Sequence, residues 1–304
     1  MNNIILVAGA TGDLGGRIVR ALLNRGGEVI AIVRSSSDIE KINLLETLNV
    51  KVYKVKNWNV EELAKACIGV SCVVSVLAGL GEVIIDAQKV LLDAAIAAGV
   101  PRFIPSDFSL DFTKFSDGEN RNLDLRREFH KYLDSTSIAS TSIFNAAFAD
   151  LLTGQMPVIF LKQQLVLYWG DADNRWDFTT KDDAAAYTAN AAMDTSTSRY
   201  LRIVGDQISP REIKTVVSEV TGNKFRLIRT GGQGLLGRII KIARKFSPAK
   251  DNLYPAWQGM QYMHNMIDKR SKIDELDNDR YPKMHWTTVK ELLTKHQQDI
   301  KQLK

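Results

Sequence analysis

Apolar positions in the first 150 residues follow two alternating periods. Short runs at Ile4 to Ala8, Val29 to Val33, Val50 to Val55, Cys72 to Leu77, Arg102 to Pro105 and Ile138 to Phe144 read as buried strands. Between them the period lengthens to that of a helix. Ile18, Val19, Leu22 and Leu23 share one face, with Arg17, Arg20 and Arg25 on the other and Gly26-Gly27 as the stop. Residues 82–98 repeat this before Gly99 and Pro101. Strands alternating with helices predict an α/β fold built on a parallel sheet.

The rhythm breaks after about Asp150. Gln164 to Trp169 reads as a strand, Asp182 to Met193 as a helix opened by acidic residues and Tyr200 to Val204 as a strand. Ser209-Pro210 caps a helix that runs to Gly222. From Gly231 the pattern is mostly helical, with aromatic-rich pieces near Tyr254 to Tyr262 and Tyr281 to Trp286, and the polar tail 295–304 is expected to fray.

Composition narrows the picture. A chain of 304 residues, 45% apolar and 25% charged, is globular, and a net charge of +5 is too mild to argue for nucleic acid. Cys67 and Cys72 match neither a zinc site nor a disulfide scaffold, there is no signal-peptide pattern, and no apolar run reaches 18 residues. The expectation is a soluble cytoplasmic protein with a small-molecule substrate, no nucleic-acid or membrane partner and no metal. A homodimer or a regulatory protein partner stays open.

Gly9-Ala10-Thr11-Gly12-Asp13-Leu14-Gly15-Gly16 follows a strand and opens a helix, where backbone N–H groups and the helix dipole can receive a pyrophosphate. The second strand ends in Arg34-Ser35-Ser36-Ser37 with no acid. A guanidinium with hydroxyls suits a 2'-phosphate, so NADP(H) is favoured over NAD(H). Gly232-x-Gly234-x-x-Gly237 matches the dinucleotide pattern more literally, yet no strand follows it within a β-α-β span, and it reads as a flexible connection. Residues 224–250 hold eight lysines and arginines and no acid. With Ile239, Ile240, Ala243 and Phe246 as an apolar side, they read as an amphipathic helix with a solvated basic face.

For catalysis the sequence offers no Tyr-x-x-x-Lys pair, no His-Glu-x-x-His and no Gly-x-Ser-x-Gly. On the helix predicted from Asn120 to Asp134, Arg126 and His130 lie four apart and share a face. If that face meets a nicotinamide, His130 can act as general acid and Arg126 as an anion holder that gives up no proton. The competing reading puts His130 on the surface.

The fragments 7–23, 31–37, 75–79, 100–108, 176–187 and 208–222 together resemble the NmrA-like, isoflavone-reductase-like branch of atypical short-chain dehydrogenases. The resemblance implies a Rossmann-type doubly wound parallel sheet with a smaller, mostly helical C-terminal substrate domain. The NAD(P)-binding part would be 1–150, completed by roughly 178–205, and the lid would be 151–177 and 206–304. Gly9, Thr11, Gly12, Leu14 and Gly15, with Asp13 among them, match the family's phosphate loop, Arg34 with Ser36 beside it matches the 2'-phosphate contact, and Leu77, Ala78 and Gly79 match the loop by the cofactor. Pro105, Ser106, Asp107 and Phe108 stand where reductases carry Pro-Ser-Glu-Phe; Asp107 and Phe108, with Trp257 and Tyr262, are the expected substrate contacts, Trp286 joining the aromatic lid.

One departure stands out: the active-site lysine of the reductases falls on Arg126. Two functions therefore follow from the resemblance. One is an NADPH-dependent reductase of a small aromatic or conjugated-carbonyl metabolite, which the aromatic lid favours. The other is a non-catalytic NADP(H)-sensing regulator.

Overall fold

The computed structural model describes residues 3–249 and 251–297. Chain order begins β1 (Ile4–Ala8), α1 (Asp13–Leu23), β2 (Glu28–Arg34), α2 (Ile39–Thr47), β3 (Lys51–Val55), α3 (Val60–Cys67) and β4 (Cys72–Ser75). A π-helical turn (Glu82–Ala87) then leads into α4 (Gln88–Ala97), followed by β5 (Arg102–Ile104), α5 (Arg121–Leu133), β6 (Ala139–Ser140) and β7 (Ser142–Phe144). Six strands pair in parallel in the order β3-β2-β1-β4-β5-β6.

The strands read as uniformly apolar because each face has its own core. Ile5, Val7, Val29, Ala31, Cys72 and Val74 point to the α1 and α2 side, with Ile18, Leu22, Ile42 and Leu45. Leu6, Ala8, Ile30, Ile32 and Val73 point to the other, with Leu63, Leu91, Phe129 and Leu133 of α3, α4 and α5.

The run expected as one strand over 138–144 divides at Thr141, whose N–H bonds Phe103 O. Before it β6 pairs with β5, and after it β7 pairs with a strand from the second half. That half contains β8 (Ala147–Phe148), β9 (Ile159–Phe160), β10 (Leu165–Trp169), β11 (Trp176–Thr179), α6 (Lys181–Met193), β12 (Tyr200–Arg202), β13 (Asp206–Ile208), α7 (Pro210–Thr221), β14 (Arg226–Gly231), α8 (Gln233–Phe246), α9 (Ala256–Met266) and α10 (Val289–Lys295). β12 is the partner of β7, while β14-β10-β9 and β13-β11-β8 form two small sheets. The Ser209 cap is a full capping box with Glu212, and Gly222 closes α7 in the left-handed region.

Two expectations change here. The glycines at 232, 234 and 237 do not form a flexible connection: Gly232 caps α8, and the other two lie within its first turns. Trp286 is no lid residue. It packs against the main core with its ring 5.9 Å from Tyr187. The C-terminal segment is strapped there by three carboxylates, Asp177, Asp183 and Asp206, which accept the backbone N–H groups of Ile273, Thr287 and Val289. The expected tail fraying falls mostly on 298–304, outside the described residues. Among the described residues no helix is long and apolar enough to cross a membrane.

Arg102 is buried, and its guanidinium bonds the last carbonyls of α6, Ala191 O at 3.0 Å and Ala192 O at 3.2 Å, and Thr197 Oγ1 at 2.6 Å. Arg102→Met should cost about 2–4 kcal/mol, since charge-assisted bonds are lost and helix-end carbonyls are left without partners. Urea unfolding measures this, and a change under about 0.5 kcal/mol, the size expected of an ordinary surface substitution, would refute the tether.

Candidate active site

Strand order reverses between β1 and β4, and the carboxyl edge of the sheet opens there. The β1–α1 turn is built by two glycines that have no room for a side chain. A Cβ on Gly9, at φ +92°, would lie 2.5 Å from Val76 O, and one on Gly15 would lie 2.1 Å from Gly9 O. Gly12 differs. It is exposed, its Cβ would meet only Gly9 O at 3.3 Å, and it caps α1 without a side-chain bond, so the first N–H groups of the helix stay open. This is the cradle an anion needs.

Leu14 packs on the core beneath the turn and Thr11 lies half-buried on it. The Asp13 carboxylate is held by Lys181 at 2.7 Å and Arg17 at 2.8 Å, and both bonds push its pKa down. Arg17 also pairs with Asp182. Asp13 therefore ties α1 to α6.

At the end of β2, Arg34 and Ser36 are exposed, and the Arg34 guanidinium sits 5.8 Å from the Trp58 ring centre. Trp58 is fixed by its Nε1–H donating to Ala87 O at 2.8 Å, and Ser35 turns inward to Val55 O.

The other side of the edge is a polar clamp around residues 105–108. Ser106 N–H donates to Gln88 Oε1 at 2.9 Å, and its Oγ–H donates to Leu77 O at 2.7 Å. Arg126 reaches in from α5, donating Nε–H to Ser106 O at 3.1 Å and Nη1–H to Asn122 O at 2.8 Å. The clamp thus joins Arg126 to the Leu77-Ala78-Gly79 loop, where Ala78 is exposed and a Cβ on Gly79 would collide with Val83 at 2.4 Å. Above Arg126 lies Tyr262 of α9. Burial pushes its phenol pKa up despite the neighbouring Arg126 and Asn122, so the group keeps its proton at neutral pH.

His130 and Asp107 occupy different places from those expected. His130 is neither on the surface nor open to a ligand: it is buried, with Nε2 2.6 Å from Asp107 Oδ2 and Nδ1 2.9 Å from Arg199 Nη2. Arginine only donates, so Nδ1 must carry the lone pair and the proton lies on Nε2, pointing at Asp107. Both ring nitrogens are engaged, and no proton is free for a substrate. Asp107 is fully buried and so makes no substrate contact. Burial opposes its ionisation, but His130, Ser142 and Arg126 hold its pKa below the usual carboxylate range. Phe108 belongs to the main core.

Trp257 is also closed off. Its ring lies between Arg121 at 4.8 Å and Arg244 at 5.1 Å, and its Nε1–H bonds Ser247 O. Buried amides join α9 to the start of α5: Gln258 donates to Asn120 Oδ1 at 2.8 Å, and Asn120 donates to Asn265 Oδ1 at 3.0 Å. Sequence reasoning missed Trp58, Gln88 and Arg199, whose roles come from contacts across 24, 18 and 69 positions with no local signature. Among the described residues no cluster of three metal-ligating side chains occurs.

This site, at the carboxyl edge of a doubly wound sheet, defines a dinucleotide-binding α/β protein. The chain belongs to the NmrA-like family, whose sequence profile matches residues 1–293. It is 29% identical to pinoresinol reductase 2 of Arabidopsis thaliana over 252 residues, covering 77% of this chain and 80% of that one. With the bifunctional pinoresinol-lariciresinol reductase of Forsythia intermedia it shares 23% over 96% of this chain and 98% of the relative. Among solved structures, AtPrR2 with NADP+ and (+)pinoresinol superposes with a TM-score of 0.80 at 25% identity over 97% of this chain and 98% of that one. The leucoanthocyanidin reductase–NADPH complex from Vitis vinifera matches in fold, with a TM-score of 0.80 at 17% identity over 97% and 99%.

The glycines should separate by role. Gly12→Val is expected to fold with a near-native melting temperature and lose nucleotide binding, whereas Gly9→Val and Gly15→Val should fail to fold because backbone lies where the side chain must go. Circular dichroism and calorimetry distinguish the two outcomes. For Asp107, a lowered pKa in the folded state means that the carboxylate stabilises the fold above its unfolded pKa of about 3.9 and loses that contribution as pH falls. The stability gap between wild type and Asp107→Asn should be constant above about pH 5 and shrink below about pH 4.

Proposed function

We propose that the protein is an NADPH-dependent reductase of a small aromatic or conjugated-carbonyl metabolite. The observation that carries this is the open Gly12 cradle, aligned on one sheet edge with Arg34 and the clamped Arg126. In this reading the N–H groups that open α1 hold the pyrophosphate, Arg34 and Ser36 hold the 2'-phosphate, and Leu77 to Gly79 flank the nicotinamide. Bound NADPH supplies a hydride.

The chain's own contribution is charge stabilisation and a proton. Arg126, fixed at two of its nitrogens, offers a permanent cation to the negative charge that develops on the substrate. It gives up no proton, and His130 has none to spare. Tyr262, protonated and lying against Arg126, is the proton-bearing group at that position. His130 then acts as a positioning residue, holding Asp107 and with it the turn that presents Ser106 O to Arg126. The substrate class rests on the relatives, which are named as reductases of pinoresinol and lariciresinol, both aromatic. They support the reductase over the regulator.

NADPH should bind at least about tenfold more tightly than NADH, a gap of about 1.4 kcal/mol, and Arg34→Asp should reverse the order; equal affinities in calorimetry would remove the 2'-phosphate assignment. With an enone, quinone or benzylic ether substrate, Tyr262→Phe and Arg126→Met should each lower kcat by about 10² or more while NADPH affinity holds. A broad screen showing no NADPH oxidation by the native protein would reject the enzyme reading.

A further inference from the structure

The outer face of α8 is unlike that of an ordinary solvated helix. Its inner side is satisfied, since Leu236 and Ile240 are buried in the second core. A second apolar stripe nevertheless faces outward: Leu235 is 48% exposed, Ile242 58% and Phe246 81%. At 100° per residue these three fall within a narrow sector, and Arg238, Lys241 and Lys245, all exposed, fall in the sector next to it. The expectation of a solvated basic face is therefore incomplete, because Phe246 and Ile242 accompany the cations into solvent.

Charge is concentrated in the same part of the chain, and Arg238, Lys241 and Lys245 carry it onto this face. The eight basic residues of 224–250 exceed the whole chain's net charge of +5, so the remainder of the protein is net acidic. A second copy of the chain docking here by twofold symmetry would set one basic stripe against another. A face that presents cations beside large apolar side chains matches an anionic lipid surface, where ammonium and guanidinium groups meet headgroups and Leu, Ile and Phe enter the acyl boundary.

We propose that the outer face of α8 is a peripheral docking surface for anionic membranes, with Arg238, Lys241 and Lys245 at the headgroups and Leu235, Ile242 and Phe246 inserted beneath them. This revises the expectation of no membrane partner without requiring a membrane-spanning helix. The placement also bears on the active site. α8 backs α9 through the Trp257 ring under Arg244 and the Trp257 bond to Ser247 O, and α9 carries Tyr262. Docking would thus bring the helix over Arg126 to the lipid boundary, where a poorly water-soluble aromatic substrate concentrates. Only this last consequence rests on the proposed reductase activity.

Flotation of the full chain with vesicles tests it. Phosphatidylcholine vesicles containing about 30 mol % phosphatidylserine should carry the protein, pure phosphatidylcholine should not, and binding should fall away near 1 M salt, where screening is within about 3 Å. Lys241→Glu/Lys245→Glu and Ile242→Ser/Phe246→Ser should each reduce binding at least about tenfold, with melting temperature and NADPH affinity unchanged. Equal binding to neutral and anionic vesicles, or native binding by both variants, would overturn the proposal. So would loss of a dimer in sedimentation caused by Ile242→Ser/Phe246→Ser, which would assign the face to a second copy. Absence of vesicle binding alongside salt-sensitive, α8-dependent binding of poly-glutamate would assign it to an acidic protein. Failure of the reductase assay leaves each of these readouts intact.

Discussion

The approach of backbone to backbone at the end of β1 governs the rest of the molecule. Gly9 lies against the Val76 carbonyl and Gly15 against the Gly9 carbonyl, at separations that no other residue allows. These contacts seat the start of α1 between β1 and β4. Once seated, α1 presents Arg17 and Asp13 to Asp182 and Lys181, and α6 docks alongside. α6 in turn brings Ala185, Tyr187, Ala189 and Ala192 into the main core, so residues from beyond position 180 complete the core against a sheet begun at residue 4. The close approach that leaves Gly12 open to an anion thus also joins the two halves of the chain.

A second constraint sets the chemistry. The turn after β5 carries too many buried polar groups to stand alone, and three other elements supply partners: Gln88 from α4, Leu77 from the β4 loop, His130 and Arg126 from α5, with Asp107 Oδ1 left unpaired. Arg199 closes the set by fixing the imidazole tautomer and reaching Asp134 and Ser142. Satisfying buried polar atoms and positioning Arg126 are here the same task. In the proposed reading, Arg126 supplies a permanent cation and Tyr262 the proton.

The second half of the chain answers to burial as well. Carboxylates at Asp177, Asp183 and Asp206 serve as acceptors for backbone N–H groups of a C-terminal segment with little regular structure of its own. Desolvation raises the pKa of all three, an opposing cost that the hydrogen bonds only partly offset. That segment then supplies Trp286 and Tyr281 to the main core rather than to a lid.

Local physics was legible in the amino-acid order. The apolar periods located β1, β2, β4, β5, α1, α6 and α7, the Ser209-Pro210 cap and Gly222 marked the limits of α7, and the glycine turn marked the junction of β1 and α1. All of these depend on residues within a few positions of one another. The resemblance to a known family singled out the loop at Leu77 to Gly79 and Arg126, which periodicity alone did not, and the structure joins them through Ser106. Burial was not legible. Asp107 and His130 look like solvent-facing chemistry in sequence and are sealed together in the fold, because their partners Arg199 and Ser142 arrive from distant segments. Trp257 looks like a substrate ring and is enclosed by Arg121 and Arg244, which meet only when α8, α9 and α5 pack. Hydrophobic period and turn chemistry act between neighbours in the chain. Desolvation, tautomer choice and the exposure of Phe246 depend on which elements pack against one another, and only the tertiary structure decides that.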